Sequence, residues 1–142
     1  MPSTQQTLYL PRPLVNKILA HAQKKPNVEV CGLIGNDRLN QKDYYVIDNI
    51  AKNPECHFLM DAPQQINAIK QMREKQQRLF AIVHSHPTTN AEPSQLDIKE
   101  NSYKDVFYII ISLNTKGVLE MRAYIQQANN MQEIDLVLQD ID

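Results

Sequence analysis

Leu79-Phe80-Ala81-Ile82-Val83-His84-Ser85-His86-Pro87 is the stretch from which the fold is read. Leu79 to His84 is apolar and partly β-branched, the composition of a buried central strand. The strand must stop by Pro87, which has no N–H to donate to a ladder. His84 and His86 therefore stand where a strand gives way to a loop. Residues two apart in an extended backbone point to the same side, so both imidazoles can converge on one point.

Upstream, Leu14, Val15, Ile18, Leu19 and Ala22 recur at helical spacing after Pro11 and Pro13. They predict a helix over about 12–25 that Pro26 ends. Val28 to Gly35 reads as a buried strand, Asn36 to Lys42 as a polar turn, and Tyr44 to Ile50 as the second arm of a hairpin. Phe58 to Met60 predicts a third short strand. Asp61 can cap a helix that carries Pro63 in its first turn and Gln64 at the capping-box position, running to about Gln77. Downstream, Pro93 and Ser94 open a helix to about Tyr103. Strands follow over Val106 to Ser112, Val118 to Ile125 and Glu133 to Leu138, the first two separated by a turn at Asn114 to Gly117. The expectation is an α/β fold, a mixed sheet flanked by helices, in one domain over residues 1–142.

Composition narrows the function. Lys plus Arg is 15 and Asp plus Glu is 16, a formal net charge of −1, with no basic run of the kind that grips a phosphate backbone. A nucleic-acid partner is not expected. No apolar run approaches the roughly 18 residues of a membrane span, and Met1 to Leu10 has neither a cationic start nor an apolar core for export. The reading is a cytoplasmic protein without a membrane partner. Cys31 and Cys56, the two cysteines, are expected as reduced thiols rather than a bridge.

The chemistry lies in His84-Ser85-His86-Pro87, followed by Ser94 and Asp97. Two imidazoles and a carboxylate are preferred zinc ligands, and three protein ligands leave a fourth position open for water, the pattern of catalytic sites. Asp97, in the first turn of a helix, can point back at the histidines. Ser94 and Asp97 also read as an ordinary helix start, with Ser94 as N-cap. Capping does not account for two histidines bracketing a serine before a proline, and one carboxylate can serve both roles. Cys31 lies in an apolar strand with no base near it in sequence and reads as a small buried hydrophobe. Cys56 and His57, being adjacent, point to opposite faces and read as structural or surface residues. His21 falls on the polar side of the first helix, facing solvent.

His-Ser-His-Pro, a spacer, and Ser-x-x-Asp together resemble the JAMM motif of the MPN (Mov34/PAD-1) metalloprotease superfamily, in its short stand-alone bacterial and archaeal form. The stretch Glu29-Val30-Cys31-Gly32-Leu33-Ile34-Gly35 is similar to the segment that carries that family's catalytic glutamate. Phe58 to Pro63, Ala91 to Ser94, Tyr108 to Ser112 and Arg122 to Tyr124 agree with it as well. The resemblance implies a cytidine-deaminase-like α/β fold and one zinc ion per chain held by His84, His86 and Asp97, with a water as fourth ligand. It makes Glu29 the general base and Ser94 the hydrogen-bonding partner of the water or of the oxyanion. Read from sequence alone, Glu29 could equally be an exposed carboxylate at a strand edge.

The implied activity is hydrolysis of a peptide or isopeptide bond after the Gly-Gly tail of a ubiquitin-like or sulfur-carrier protein, which is then the expected partner. The oligomeric state stays open, a homodimer included. Long insertions of the kind that grip ubiquitin chains are absent from the sequence, so a polyubiquitin specialist is not expected. Two rivals remain, a non-catalytic scaffold and a zinc amidase acting on small molecules or cyclic peptides. Nucleoside deaminases need a His-x-Glu and a Pro-Cys-x-x-Cys element, and this chain has neither.

Overall fold

The computed structural model describes residues 6–100, 103–114 and 119–140. Ten elements follow one another: β1 (Thr7–Pro11), α1 (Arg12–Lys24), β2 (Cys31–Asn36), β3 (Lys42–Ile47), α2 (Ala62–Glu74), β4 (Arg78–His86), α3 (Gln95–Lys99), β5 (Phe107–Ser112), β6 (Glu120–Gln127) and β7 (Asn130–Gln139). The strands form one mixed sheet in the order β1-β7-β6-β5-β4-β2-β3. The pairs β1–β7 and β4–β5 are parallel and the other four antiparallel. The expected α/β class, a mixed sheet flanked by helices, is the one observed.

Alternation along the strands splits the core in two. One cluster joins Leu14, Val15, Ile18 and Ala22 of α1 to Leu8, Ile34, Ala81, Val83, Ile109 and Ile111. Since α1 touches β3 near one end of the sheet and β1 and β7 at the other, the sheet curls around this helix. The second cluster joins Ala68 and Met72 of α2 to Leu33, Ile82, Tyr108 and Ile110 on the opposite face. Ile82 shares its face with His84 and His86 by the period of two. The histidines thus emerge on the α2 side, at the C-terminal end of a strand buried from Ala81 to His86.

Several expectations are corrected. The sequence reading missed β1, although Leu8 and Leu10 alternate with outward residues and end at prolines, an edge-strand pattern. Strand β2 starts only at Cys31, because Glu29 and Val30 are held by Pro54 and Ser85 instead of by a ladder. Phe58–Met60 makes no strand; Met60 forms a single bridge with Asn49. Helix α2 ends at Glu74, where the chain turns and Gln76 takes a left-handed φ of 58°. Asp61 caps it by accepting from Gln64 N–H, but the Gln64 side chain bonds Asp48, so the capping box is half made. Helix α3 is five residues long and ends before Tyr103. The turn predicted at Asn114 to Gly117 falls largely outside the described residues. Among the described residues, no helix is long and apolar enough to cross a membrane.

Candidate metal centre

Register puts the strand that carries both histidines in the middle of the sheet: His84 stands opposite Cys31 of β2 and Ile110 of β5, and His86 opposite Ser112. Both imidazoles are buried. His84 Nε2 lies 3.2 Å from His86 Nε2, and Asp97 Oδ2 lies 3.1 Å from each. Asp97 reaches them from the first turn of α3, whose start is fixed by a complete capping box. Ser94 Oγ accepts from Asp97 N–H, and Asp97 Oδ2 accepts from Ser94 N–H. The capping role foreseen for these two residues therefore coexists with the convergence on the histidines.

The donor set fits a zinc ion. His86 Nδ1 donates to the Asn90 carbonyl at 2.8 Å, which fixes its tautomer and turns a lone pair at Nε2 toward the centre. Two imidazole nitrogens and a carboxylate oxygen so close together repel one another unless a proton or a cation sits among them. Ligand atoms about 2.1 Å from a tetrahedral zinc are about 3.4 Å apart, near the 3.1 and 3.2 Å observed. Burial lowers the His84 pKa, which favours the neutral ring that a metal ligand needs. For His86, burial is outweighed by Asp97 and Asn90, and its pKa rises. Burial would raise Asp97, but its bonds with both histidines hold it well below the usual carboxylate range. Phe58 stacks on the His84 ring at 4.5 Å between centroids. Among the described residues, His84 Nδ1 has no hydrogen-bond partner.

Glu29 is buried rather than exposed at a strand edge, and it completes the group of four whose ligand atoms lie within 4.8 Å of one another. Burial pushes its carboxyl up to about 7, with His86 lowering and Asp97 raising it. At Glu29 the native state therefore binds more protons than the unfolded chain between about pH 4.5 and 7, and this carboxyl's contribution to the stability of the metal-free protein falls as pH rises through that window. Metal-free Glu29→Gln is expected to be more stable than metal-free wild type above pH 7, by about 1–3 kcal/mol. Thermal melts at pH 8 check this; equal or lower melting temperature contradicts it.

Two positioning residues escaped the sequence reading. Ser85, between the ligands, faces the opposite side of the sheet. Its Oγ accepts from Val30 N–H and its own N–H donates to the Val30 carbonyl, which ties the Glu29 segment to β4. Asn49 Nδ2 donates to the carbonyls of Glu29 and His57, while its Oδ1 accepts from Ala51 and Leu59 N–H. One side chain thereby holds the backbone of Glu29 and the loop carrying Phe58. Asn49 falls within the strand expected over Tyr44 to Ile50, which ends at Ile47, and only the distant partners disclose its role. Asn49→Ala is expected to destabilise the fold by about 1–3 kcal/mol and to slow turnover about 10-fold with metal content unchanged. Steady-state rates beside elemental analysis are the check.

Other residues stay outside the centre. Cys31 is buried, its thiol donates to the Ile47 carbonyl, and burial pushes it up to about 12, so the core reading holds. Cys56 is exposed and free. His57 Nε2 pairs with Glu100 at 2.8 Å. His21 is a correction: instead of facing solvent it is half-buried and bonds the Tyr44 hydroxyl at 2.6 Å. Among the described residues no free strand edge runs beside the histidines, since β2 and β5 flank β4 and the sheet's edges are β1 and β3.

A sequence profile described as "Prokaryotic homologs of the JAB domain" matches residues 11–124. The chain is similar to the "Probable TtuB-protein conjugate cleaving protease" of Thermus thermophilus, 33% identical over 131 residues that cover 92% of this chain and 82% of that one. It is 26% identical to the "CysO-cysteine peptidase" of Mycobacterium tuberculosis over 85% of this chain and 84% of that one. Among solved structures, a protein of Desulfitobacterium hafniense superposes with a TM-score of 0.81 at 28% identity, over 96% of this chain and 94% of its own. A structure described as "JAMM: A Metalloprotease-like Zinc Site in the Proteasome and Signalosome" superposes at 0.56 with 18% identity, over 96% and 99% of the two chains, a likeness of fold.

Proposed function

The chain belongs to the prokaryotic JAB-domain family, and on that premise we propose that it is a zinc-dependent peptidase. Its substrate in this reading is the bond that follows the C-terminal Gly-Gly of a small ubiquitin-like or sulfur-carrier protein. One observation carries the proposal: His84, His86 and Asp97 converge on one point with the buried Glu29 beside them. The names of the two peptidase relatives support the substrate class.

His84, His86 and Asp97 are the residues that would hold zinc. Bound there, zinc would supply a Lewis acid that activates water and polarises the scissile carbonyl. Glu29, buried beside the three ligands, suits a group that takes a proton from the attacking water and returns it to the leaving amine. Ser94 accepts from Asp97 N–H and keeps its own hydroxyl hydrogen, which can be donated to a developing oxyanion. Phe58 and Asn90 hold the two imidazole rings in place. A cytoplasmic location suits the free thiols of Cys31 and Cys56.

Glycines before the bond let the substrate backbone approach the buried ligands, where larger side chains would hold it away. Carrier fusions ending in Gly-Gly, Ala-Ala or Val-Val before the bond test this by mass spectrometry. The expected result is cleavage directly after the second glycine, with at least about 10-fold slower cleavage of the Val-Val fusion. Equal cleavage of all three, or cleavage elsewhere, would favour the small-amide rival.

A further inference from the structure

On the α2 face, next to the ligands, a cleft of about 240 Å³ is lined by His84 and Asp97 and by apolar side chains that include Phe58, Ile82, Ile110 and Met131. Its volume corresponds to about eight waters and falls below the roughly 300–1,000 Å³ of pockets for drug-sized ligands. One side chain is what such a space holds. The charge of the lining is one-sided: among the described residues it contains no Lys or Arg, and its carboxylates are Asp97 and Glu100, the latter paired with His57 at 2.8 Å. An anionic side chain entering it would lose its hydration and find no cationic side chain.

We propose that this cleft is the subsite for the residue whose amine leaves, and that it selects an uncharged apolar side chain at that position. The assignment rests on the peptidase reading. In a tail ending Gly-Gly, the acyl side has no side chain within two residues of the bond. An extended chain advances about 3.3 Å per residue, which puts the third residue back about 7–10 Å from the reacting carbonyl. The first side chain next to the ligands is then the leaving residue's, and the cleft that includes two of those ligands is where it lodges.

The experiment uses the zinc-loaded protein and tail peptides in which Gly-Gly precedes Leu, Ala or Asp, all ending in a carboxamide. The leucine peptide is expected to exceed the alanine peptide about 10-fold or more in kcat/KM, with the aspartate peptide slower still. Leu59 lines the rim and is 52% exposed, so Leu59→Lys puts a cation there without disturbing the core. It is expected to raise the aspartate peptide relative to the leucine peptide. Equal rates for the three peptides, or an unchanged aspartate-to-leucine rate ratio in Leu59→Lys, would each overturn the assignment. Binding is read separately by titrating leucine amide or aspartate amide against the methyl resonances of Ile82 and Ile110. Cleavage of none of the peptides refutes the peptidase reading alone. In that event, shifts with leucine amide but not aspartate amide uphold the cleft as an apolar side-chain site, and no shifts refute it.

Discussion

Glu29→Gln is expected to keep the fold and the zinc while lowering turnover roughly 10²-fold or more. Glutamine preserves the shape of the side chain but cannot take up a proton, so the variant separates proton transfer from packing. The triangle of 3.1 and 3.2 Å contacts is made by His84, His86 and Asp97 alone. Glu29 belongs to the wider group within 4.8 Å, a placement beside the ligands that suits a base. Zinc content and single-turnover rate, measured on one preparation, decide between the roles. A near-wild-type rate removes Glu29 from the mechanism, and loss of zinc makes it a ligand.

His84→Ala or His86→Ala is expected to abolish both zinc retention and activity. Stability should fall too, because an ion that binds only the native state adds its binding free energy to the fold, about 2.7 kcal/mol at a free concentration 100 times the dissociation constant. Each substitution also removes a structural contact, the stack on Phe58 for His84 and the bond to Asn90 for His86. Melting each variant with and without zinc isolates the metal's share. Wild type should gain stability from zinc and the variants should gain none; a similar gain in all three would place the ion elsewhere.

The parts of the site legible in the sequence are those set by local rules. The period of two fixes that His84 and His86 share a face, and a proline fixes where their strand stops. Ser94 and Asp97 declare a helix start whatever else they do. Helix α1 followed from its apolar spacing, and its bounds agree to within one residue at its C-terminal end. What stayed hidden depends on partners far along the chain. Glu29 looked like a strand residue because Val28 to Gly35 is apolar, whereas the ladder begins only at Cys31 and Asn49 and Ser85 hold the segment before it. Ser85 lies 55 residues from Val30, a pairing that no local pattern encodes. Strand β1 needs β7, the last strand, to complete it, and five residues ending at Pro11 carry little signal by themselves. Phe58 was placed in a strand, yet its role is to cover His84 from a loop with a single bridge.

Elemental analysis of the purified wild-type protein, prepared without chelator, tests the metal centre most directly. Close to one zinc per chain is expected, or uptake to that level when zinc is added to protein stripped of metal, as a preformed three-ligand site requires. Less than about a quarter of an equivalent, with no uptake on adding zinc, would contradict it.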